Sequence, residues 1–467
     1  MRKDNVLSRG RARRTALAVG MLGLTAVIPA CNVEQTLAVE DPDVVQLGNL
    51  TTSAALPAVR AATISDFQVG YSGSSALEGQ IQASAWLTDE QANAESFPTR
   101  IEVDMRTTNP INVTMLGLFR GIQRARATAE VASRRYAALD PTNVAWAEVL
   151  ALGGFTYVLL GENYCSGVPS SIVNEDGSFT YGASETMTEV FNRGLAKFDS
   201  AITLATAAGA SGATMLNLAR VGRARTLLNL DRVTDAATTA AAVPDNFRYQ
   251  LLHSENTTRQ NNGVFIFADN GRRFTIPDRE GTNGLPFRSD GQTDGRLATR
   301  LRTTGFDAVT PLWVTAKYVN RSAPATVADG VEARLIQAEA FMRAGDDVNF
   351  LAQLNLARAN SVTYAVPPAT PPARPGALTV ADLGATAQSR QDLLFKERAY
   401  NMFLTSHRLG DMRRLIRQYG RNAETVFPTG GYFKGGVYGS DVNLPIPFEE
   451  NFNLNPDFQK KCIDRNA

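Results

Sequence analysis

One pattern recurs through the middle of the chain and limits the fold more than any other feature. Segment 111–138 carries Met115, Leu118, Ile122, Ala125, Ala129 and Ala132 at three- and four-residue spacing, which is one face of a helix. Asp140-Pro141 ends it, and 142–160 reads as a second helix after a short turn. The arrangement returns at 184–208 and 215–228, followed by an Ala-rich helix at 231–243 that Pro244 stops. Small residues sit in the second helix of each pair (Ala151, Gly153 and Gly154; Ala219, Gly222 and Ala224), which lets neighbouring helices approach closely. The expectation is a stack of helical hairpins.

Helices resume at 328–343, closed by Gly345 and striped with Val331, Leu335, Ala338 and Phe341, and again at 349–360. A Pro-rich link at 365–378 separates them from 389–417, which reads as one long helix. The face of that helix carrying Leu393, Tyr400 and Leu404 also carries Glu397, His407 and Asp411. Ionisable groups on a core-facing stripe need partners. Arg398, Arg408 and Arg413 are the candidates for a buried, mutually satisfied network with a structural rather than catalytic role. The hairpins resemble a tetratricopeptide array, although no strict 34-residue repeat covers both pairs.

Between the helices the chain changes character. A first helix is expected at 51–68, with Pro57 as a local flaw, and 70–110 reads as loops carrying Tyr71, Trp86 and Phe97. Segment 244–324 is rich in Asn, Gly, Arg and Asp. It has strand-like pieces at 264–268, 273–276 and 312–319, with Asn270-Gly271 as a hairpin turn between the first two. Phe287, Trp313 and Tyr318 lie in this irregular stretch, and Tyr432, Phe433 and Tyr438 in Gly/Pro-rich loops at 420–467. The fold class expected is mainly α: stacked tetratricopeptide-like helical hairpins with an irregular, loop-rich second layer and a few short strands.

The N-terminus points to export. Six basic side chains among the first fourteen residues run into the apolar stretch 15–30 and then Cys31, the order of a secretory signal and too short to span a membrane. Ala30 before Cys31 is similar to the lipobox at which bacterial lipoproteins are acylated. The expected organisation is therefore a signal peptide at 1–30, a lipidated tether at 31–50 and a body at 51–467. Within that body the helical array takes 111–243, 328–360 and 389–419, the ligand-binding loops 70–110 and 244–327, and the C-terminal loops 420–467. Without the basic leader, 41 basic residues face 45 acidic ones, which gives no reason to expect nucleic acid. Cys165 and Cys462 remain as a pair that an oxidising compartment would allow to join, and the sequence leaves open whether they meet.

No catalytic constellation emerges. Gly70-Tyr-Ser-Gly-Ser74 is a poor match to a serine-hydrolase elbow, and no Walker, dinucleotide or zinc-protease motif occurs. With two His and two spare Cys no Cys/His metal site is expected, and no cofactor. Glu90, Glu95, Asp104 and Asp307 are available to a glycosidase, but nothing singles them out. Recognition by aromatic faces with polar neighbours remains, the usual means of holding sugars and also of gripping peptides.

Several stretches together resemble the SusD/RagB lipoproteins of bacterial outer-membrane nutrient uptake. Glu397-Arg398, His407-Arg408, Asp411 and Arg413-Arg414 stand where that family has its C-terminal helical block. Pro445-Ile446-Pro447 with Asn455-Pro456 is similar to its closing segment, 334–339 to its Ala-Glu helix, Leu354-Asn355 and Ala357-Arg358 to the helix after that, and 294–296 with Lys317-Tyr318 to the segment preceding. The chain departs at 404–406, where the family often has Glu, and at Gly295, where it has Pro. The resemblance implies a non-enzymatic, lipid-anchored surface protein of the outer membrane. It would bind an oligosaccharide, less often a peptide, and deliver it to a SusC-like TonB-dependent barrel. It implies ligand contacts on the loops, for which Tyr71, Trp86, Phe97, Arg100, Phe287, Arg288 and Trp313 are the candidates, and a structural role for Glu397, Arg398, His407, Arg408 and Asp411. A surface scaffold that binds protein or peptide, and a glycan-degrading enzyme, are the alternatives.

Overall fold

A computed structural model describes residues 51–367 and 369–467; the expected signal peptide, the expected tether and Cys31 lie outside the described residues. The helices are α1 Leu56–Ser72, α2 Gln80–Leu87, α3 Pro98–Asp104, α4 Val113–Leu139, α5 Ala145–Asn163, α6 Met187–Ala207, α7 Ala213–Asn229, α8 Val233–Ala241, α9 Gly330–Ala344, α10 Asp347–Asn360, α11 Ala387–Asn401 and α12 Arg408–Tyr419. Strands are short: β1 Ala92–Asn93, β2 Val168–Pro169, β3 Ile172–Val173, β4 Phe179–Thr180, β5 Ser184–Glu185, β6 Arg248–Leu251, β7 Phe274–Thr275, β8 Thr299–Thr304, β9 Pro311–Thr315 and β10 Ala325–Asp329. They pair antiparallel in twos, β1 with β7, β2 with β5, β3 with β4, β6 with β10 and β8 with β9. The architecture is mainly α, stacked helical hairpins with a loop-rich layer.

The hairpins α4/α5, α6/α7 and α9/α10 pack in sequence, with α8 between α7 and α9. Small residues make the stacking possible at one defined place. The ring of Phe198 on α6 sits against both Gly154 of α5 and Gly222 of α7, where a methyl group on either glycine would collide with it. Asn112 starts α4 by accepting the N–H groups of Thr114 and Met115 at 3.0 and 3.1 Å, and Thr186 with Glu189 forms a capping box on α6.

Four expectations are corrected. Pro57 lies in the first turn of α1, where its missing N–H costs nothing, so it starts the helix rather than flawing it. Segment 70–110 is not all loop: α1 runs to Ser72, and α2 and α3 follow, α2 with all its residues buried. Segment 264–268 is helical. Asn262 caps Gly263–Phe265, which passes into a π-helical turn Ile266–Asn270, and Asn270-Gly271 closes that turn instead of a hairpin. Finally, 389–417 is two helices, α11 and α12, interrupted at 402–407.

The interruption has a physical cause. Leu404 and Ser406 have φ of 51° and 59°, values that cost an L-residue strain, and buried groups hold them there. Glu90 accepts the Leu404 N–H at 2.9 Å, while Lys317, Tyr318, Tyr71 and Arg225 donate to the carbonyls of Phe403, Leu404, Thr405 and Ser406 at 2.5, 2.9, 2.9 and 2.8 Å. The hydrogen bonds a continuous helix would make internally are made instead to the rest of the fold. Burial pushes the Glu90 carboxyl up to about 8, against the Leu404 N–H, which favours its charged form.

Beside this break lies a buried ionic seam. Glu397 on α11 accepts from Arg296 at 2.8 Å and from Arg358 at 2.6 and 3.0 Å. Arg398 reaches Asp411 at 2.8 Å, Asp411 also takes Arg414 at 2.9 Å, and Arg414 continues to Glu339. Arg408 clamps Asp89 with two bonds of 2.7 and 2.8 Å, and His407 Nε2 lies 3.1 Å from Glu332. Arg413 differs from expectation: among the described residues it forms no ion pair and donates instead to the carbonyls of Gly161, Glu162 and Tyr164. Burial opposes ionisation of Asp411, yet Arg398 and Arg414 prevail and hold it below the ordinary carboxylate range.

Candidate functional site

Three loops converge on one surface, each presenting a half-exposed phenylalanine. Phe97, Phe306 and Phe433 are 51, 48 and 51% exposed, unusual for so large an apolar side chain. Each is held out for a local reason. Phe97 precedes Pro98, which forces it into an extended conformation (φ −74°, ψ 112°) off the start of α3. Phe306 is at the tip of the β8–β9 hairpin, where Gly305 packs against Ala94 with no room for a side chain. Phe433 rides on a turn built with Gly430, Gly435 and Gly436 at φ of 84°, 100° and 84°.

Backbone bonds fasten the loops together. β1 and β7 pair Ala92 with Thr275 and Asn93 with Phe274, and Ala94 N–H continues to the Arg273 carbonyl at 2.8 Å. The hairpin tip joins them, through Phe306 N–H to the Arg272 carbonyl at 2.7 Å and Asp307 N–H to the Ala94 carbonyl at 3.0 Å. Lys434 then bridges the third loop, donating to Asp307 at 2.6 Å, the Glu95 carbonyl at 2.6 Å and Asn93 at 3.2 Å.

The charges behind the rings are paired. Fully buried Glu95 binds Arg100 at 3.0 Å and Arg273, and Arg100 also reaches Glu78 at 2.6 Å. Arg273 lies 5.7 Å from the Phe97 ring centre and 5.0 Å from that of Phe306; Arg100 lies 5.2 Å from Phe97. Three cations thus face three carboxylates (Glu78, Glu95, Asp307), leaving apolar faces edged by balanced polar groups. Burial raises Asp307, but hydrogen bonds from Lys434 and Thr310 prevail and take it down to about 2. It stays ionised, the opposite of a general acid.

The structure divides the sequence candidates. Phe97 and Arg100 belong to this platform. Tyr71, Trp86 and Phe287 were expected on the ligand face, but all three are buried. Tyr71 tethers the Thr405 carbonyl, Trp86 stacks on Phe274 at 4.3 Å, and Phe287 packs against Tyr400 and Phe403 at 5.5 and 5.1 Å. Trp313 is half-buried with Arg288 5.5 Å from its ring, on the face of β9 opposite Leu312 and Val314, which pack with Ala94. It therefore points away from the three phenylalanines. Phe306, Phe433, Arg273 and Lys434 also belong to the platform and are not among the sequence candidates. Only the glycine pattern around Phe433 hinted at one of them.

No protein-family model matches the sequence, and no curated protein matches it significantly. Solved structures do. A SusD superfamily protein from Bacteroides thetaiotaomicron superposes with a TM-score of 0.62 at 12% identity, covering 90% of this chain and 100% of the other. The chain has the SusD-like fold. A SusD superfamily protein from Bacteroides vulgatus gives 0.59 at 14% identity over 89% of this chain and 100% of that one. A laminarin-binding SusD-like protein gives 0.58 at 13% identity over 89% and 99%. Within this SusD-like body no described helix is long and apolar enough to cross a membrane, and no described group of His, Cys, Asp or Glu is arranged to hold a metal ion.

Proposed function

We propose that this protein captures an oligosaccharide without cleaving it, on the platform of Phe97, Phe306 and Phe433. The observation that carries the reading is the rigid convergence of three exposed rings whose surrounding charges are already paired. Such a surface offers C–H stacking to a sugar ring and edge groups to its hydroxyls, with little reorganisation on binding. The SusD-like fold and a solved neighbour that binds laminarin support a glycan ligand.

On this reading the chain is lipid-anchored through Cys31 at the outer membrane and hands its ligand to a SusC-like TonB-dependent barrel. The Cys165–Cys462 disulfide agrees with an exported, oxidised protein. Calorimetric titration with laminarin, amylopectin, pectin and xylan tests capture. At least one glycan should bind, and Phe97→Ala, Phe306→Ala and Phe433→Ala should each weaken it about fivefold, roughly 1 kcal/mol per ring. Unchanged affinity in all three variants would remove the platform. New reducing ends on incubation would replace capture with hydrolysis. Cys31→Ser should abolish palmitate labelling and release the protein from membranes.

A further inference from the structure

We propose that Asp104 and Glu280 are positioning residues for ligand capture: a buried carboxyl pair that shares a proton and clamps the turn presenting Phe433, so that glycan affinity falls when the pair is fully ionised. The proposal rests on the platform reading above.

The geometry is specific. Asp104, the last residue of α3, is fully buried, and its Oδ2 accepts the Tyr432 hydroxyl at 2.6 Å and the Asn93 N–H at 2.8 Å. Glu280, which follows β7, is also buried, and its Oε1 accepts the Tyr438 hydroxyl at 3.0 Å. The remaining oxygens, Asp104 Oδ1 and Glu280 Oε2, are buried with no N–H or hydroxyl donor among the described residues, and the two tyrosine rings whose hydroxyls the carboxyls hold lie 5.3 Å apart, edge to face. Charge on Asp104 opposes charge on Glu280, and one proton held by the pair removes that repulsion.

Cationic compensation is partial. Among the described residues neither acid forms an ion pair. Lys434 faces Asp104 but is engaged by Asp307, Asn93 and the Glu95 carbonyl; Asp89 adds negative charge toward Glu280 and is itself clamped by Arg408. Arg106 faces Tyr438 and pairs with Glu424. The shared proton is therefore what keeps the pair from becoming two adjacent buried anions.

Tyr432 and Tyr438 bracket Phe433 and Lys434. Bonds from Tyr432 N–H to the Gly436 carbonyl and from Tyr438 N–H to the Gly430 carbonyl, at 3.0 and 3.1 Å, close the turn between them. Both tyrosine hydroxyls end on the acid pair, so repulsion there acts directly on the turn. Burial raises Asp104 to about 6 and, with Asp104 beside it, raises Glu280 well above its usual range. Because both are raised, the stability they contribute is full below the ordinary carboxylate range. It is lost as pH climbs through about 6 and beyond, until the last proton leaves.

Hydrogen–deuterium exchange of 430–438, corrected for intrinsic rate, tests this at about pH 6 and about pH 9, alongside titration with the four glycans. In the native protein, protection should fall at least about tenfold, the equivalent of one pKa unit, and glycan affinity should fall with it. Glu280→Gln donates a permanent N–H to Asp104, so both readouts should become independent of pH. Asp104→Asn, which donates the same way toward Glu280, serves if the first variant does not fold. Equal protection at both pH values in the native protein would overturn the clamp. Opening with pH while a glycan binds equally well would overturn its coupling to capture. Opening with no glycan bound at either pH would leave the clamp standing and sink the glycan reading instead.

Discussion

Individual residues divide into those that present a surface and those that hold a backbone. Tyr71 and Phe97 show how little local sequence separates the two: both are aromatics close to glycine or proline, yet one grips a carbonyl from the far end of the chain and the other stands in solvent. Ala308, exposed at the platform hairpin, has φ of 61°, a conformation that costs an L-residue roughly 1 kcal/mol. Ala308→Gly should therefore leave glycan binding intact and raise the thermal midpoint slightly; a lowered midpoint would show that the strain is compensated. Asp411 sits between two buried arginines, and Asp411→Ala should cost about 3–5 kcal/mol in denaturant unfolding by stranding Arg398 and Arg414. A loss below about 1 kcal/mol would mean that water replaces the carboxylate.

The helical elements were legible because each hairpin writes its own periodicity and caps. Asp140-Pro141, Pro244 and Gly345 mark helix ends and the small residues of α5 and α7 announce close packing, whereas Ser184 and Glu185, expected to start α6, form β5 and leave the cap to Thr186. Gly222→Ala should destabilise by roughly 1–3 kcal/mol, measured by chemical denaturation, because Phe198 has no second place to go. What was not legible is the break between α11 and α12. Its sequence, 402–407, contains no Gly or Pro, and the donors and acceptors that open it come from Gln80, Glu90, Arg225, Lys317 and Tyr318, all distant in the chain. A helix period measures local preference; it does not register a carboxylate or a phenol waiting elsewhere in the fold.

For the molecule as a whole, pH acts from both sides. Asp411, Glu397 and Glu339 are held below their usual range by arginines that outweigh burial, so their contribution is present above the ordinary carboxylate range and lost as acid titrates them. Glu90, raised to about 8 by burial, contributes in the opposite sense, its contribution shrinking as pH rises from the ordinary carboxylate range to about 8; Lys317, lowered to about 8 by burial, recovers stability only above that. Thermal midpoints should peak between about pH 5 and about pH 7 and fall on both sides. A plateau extending through pH 9 would remove Glu90 from the account. The disulfide joins residues 297 apart, and its reduction should lower the midpoint, with roughly 6 kcal/mol as the chain-entropy bound.

Sequence alone determined the helical class, the hairpin pairing and the position of most helices, because hydrophobic spacing, caps and breakers act within a few residues. It also marked a loop-rich layer apart from the helices. Tertiary structure alone decided which aromatics stand exposed together on one surface. Phe97, Phe306 and Phe433 are separated by two hundred residues or more of chain at the first step and by over a hundred at the second, and they become one surface only through Glu95, Asp307 and Lys434. An aromatic in a loop is written the same way whether it packs or protrudes; burial is settled by what the rest of the chain lays over it.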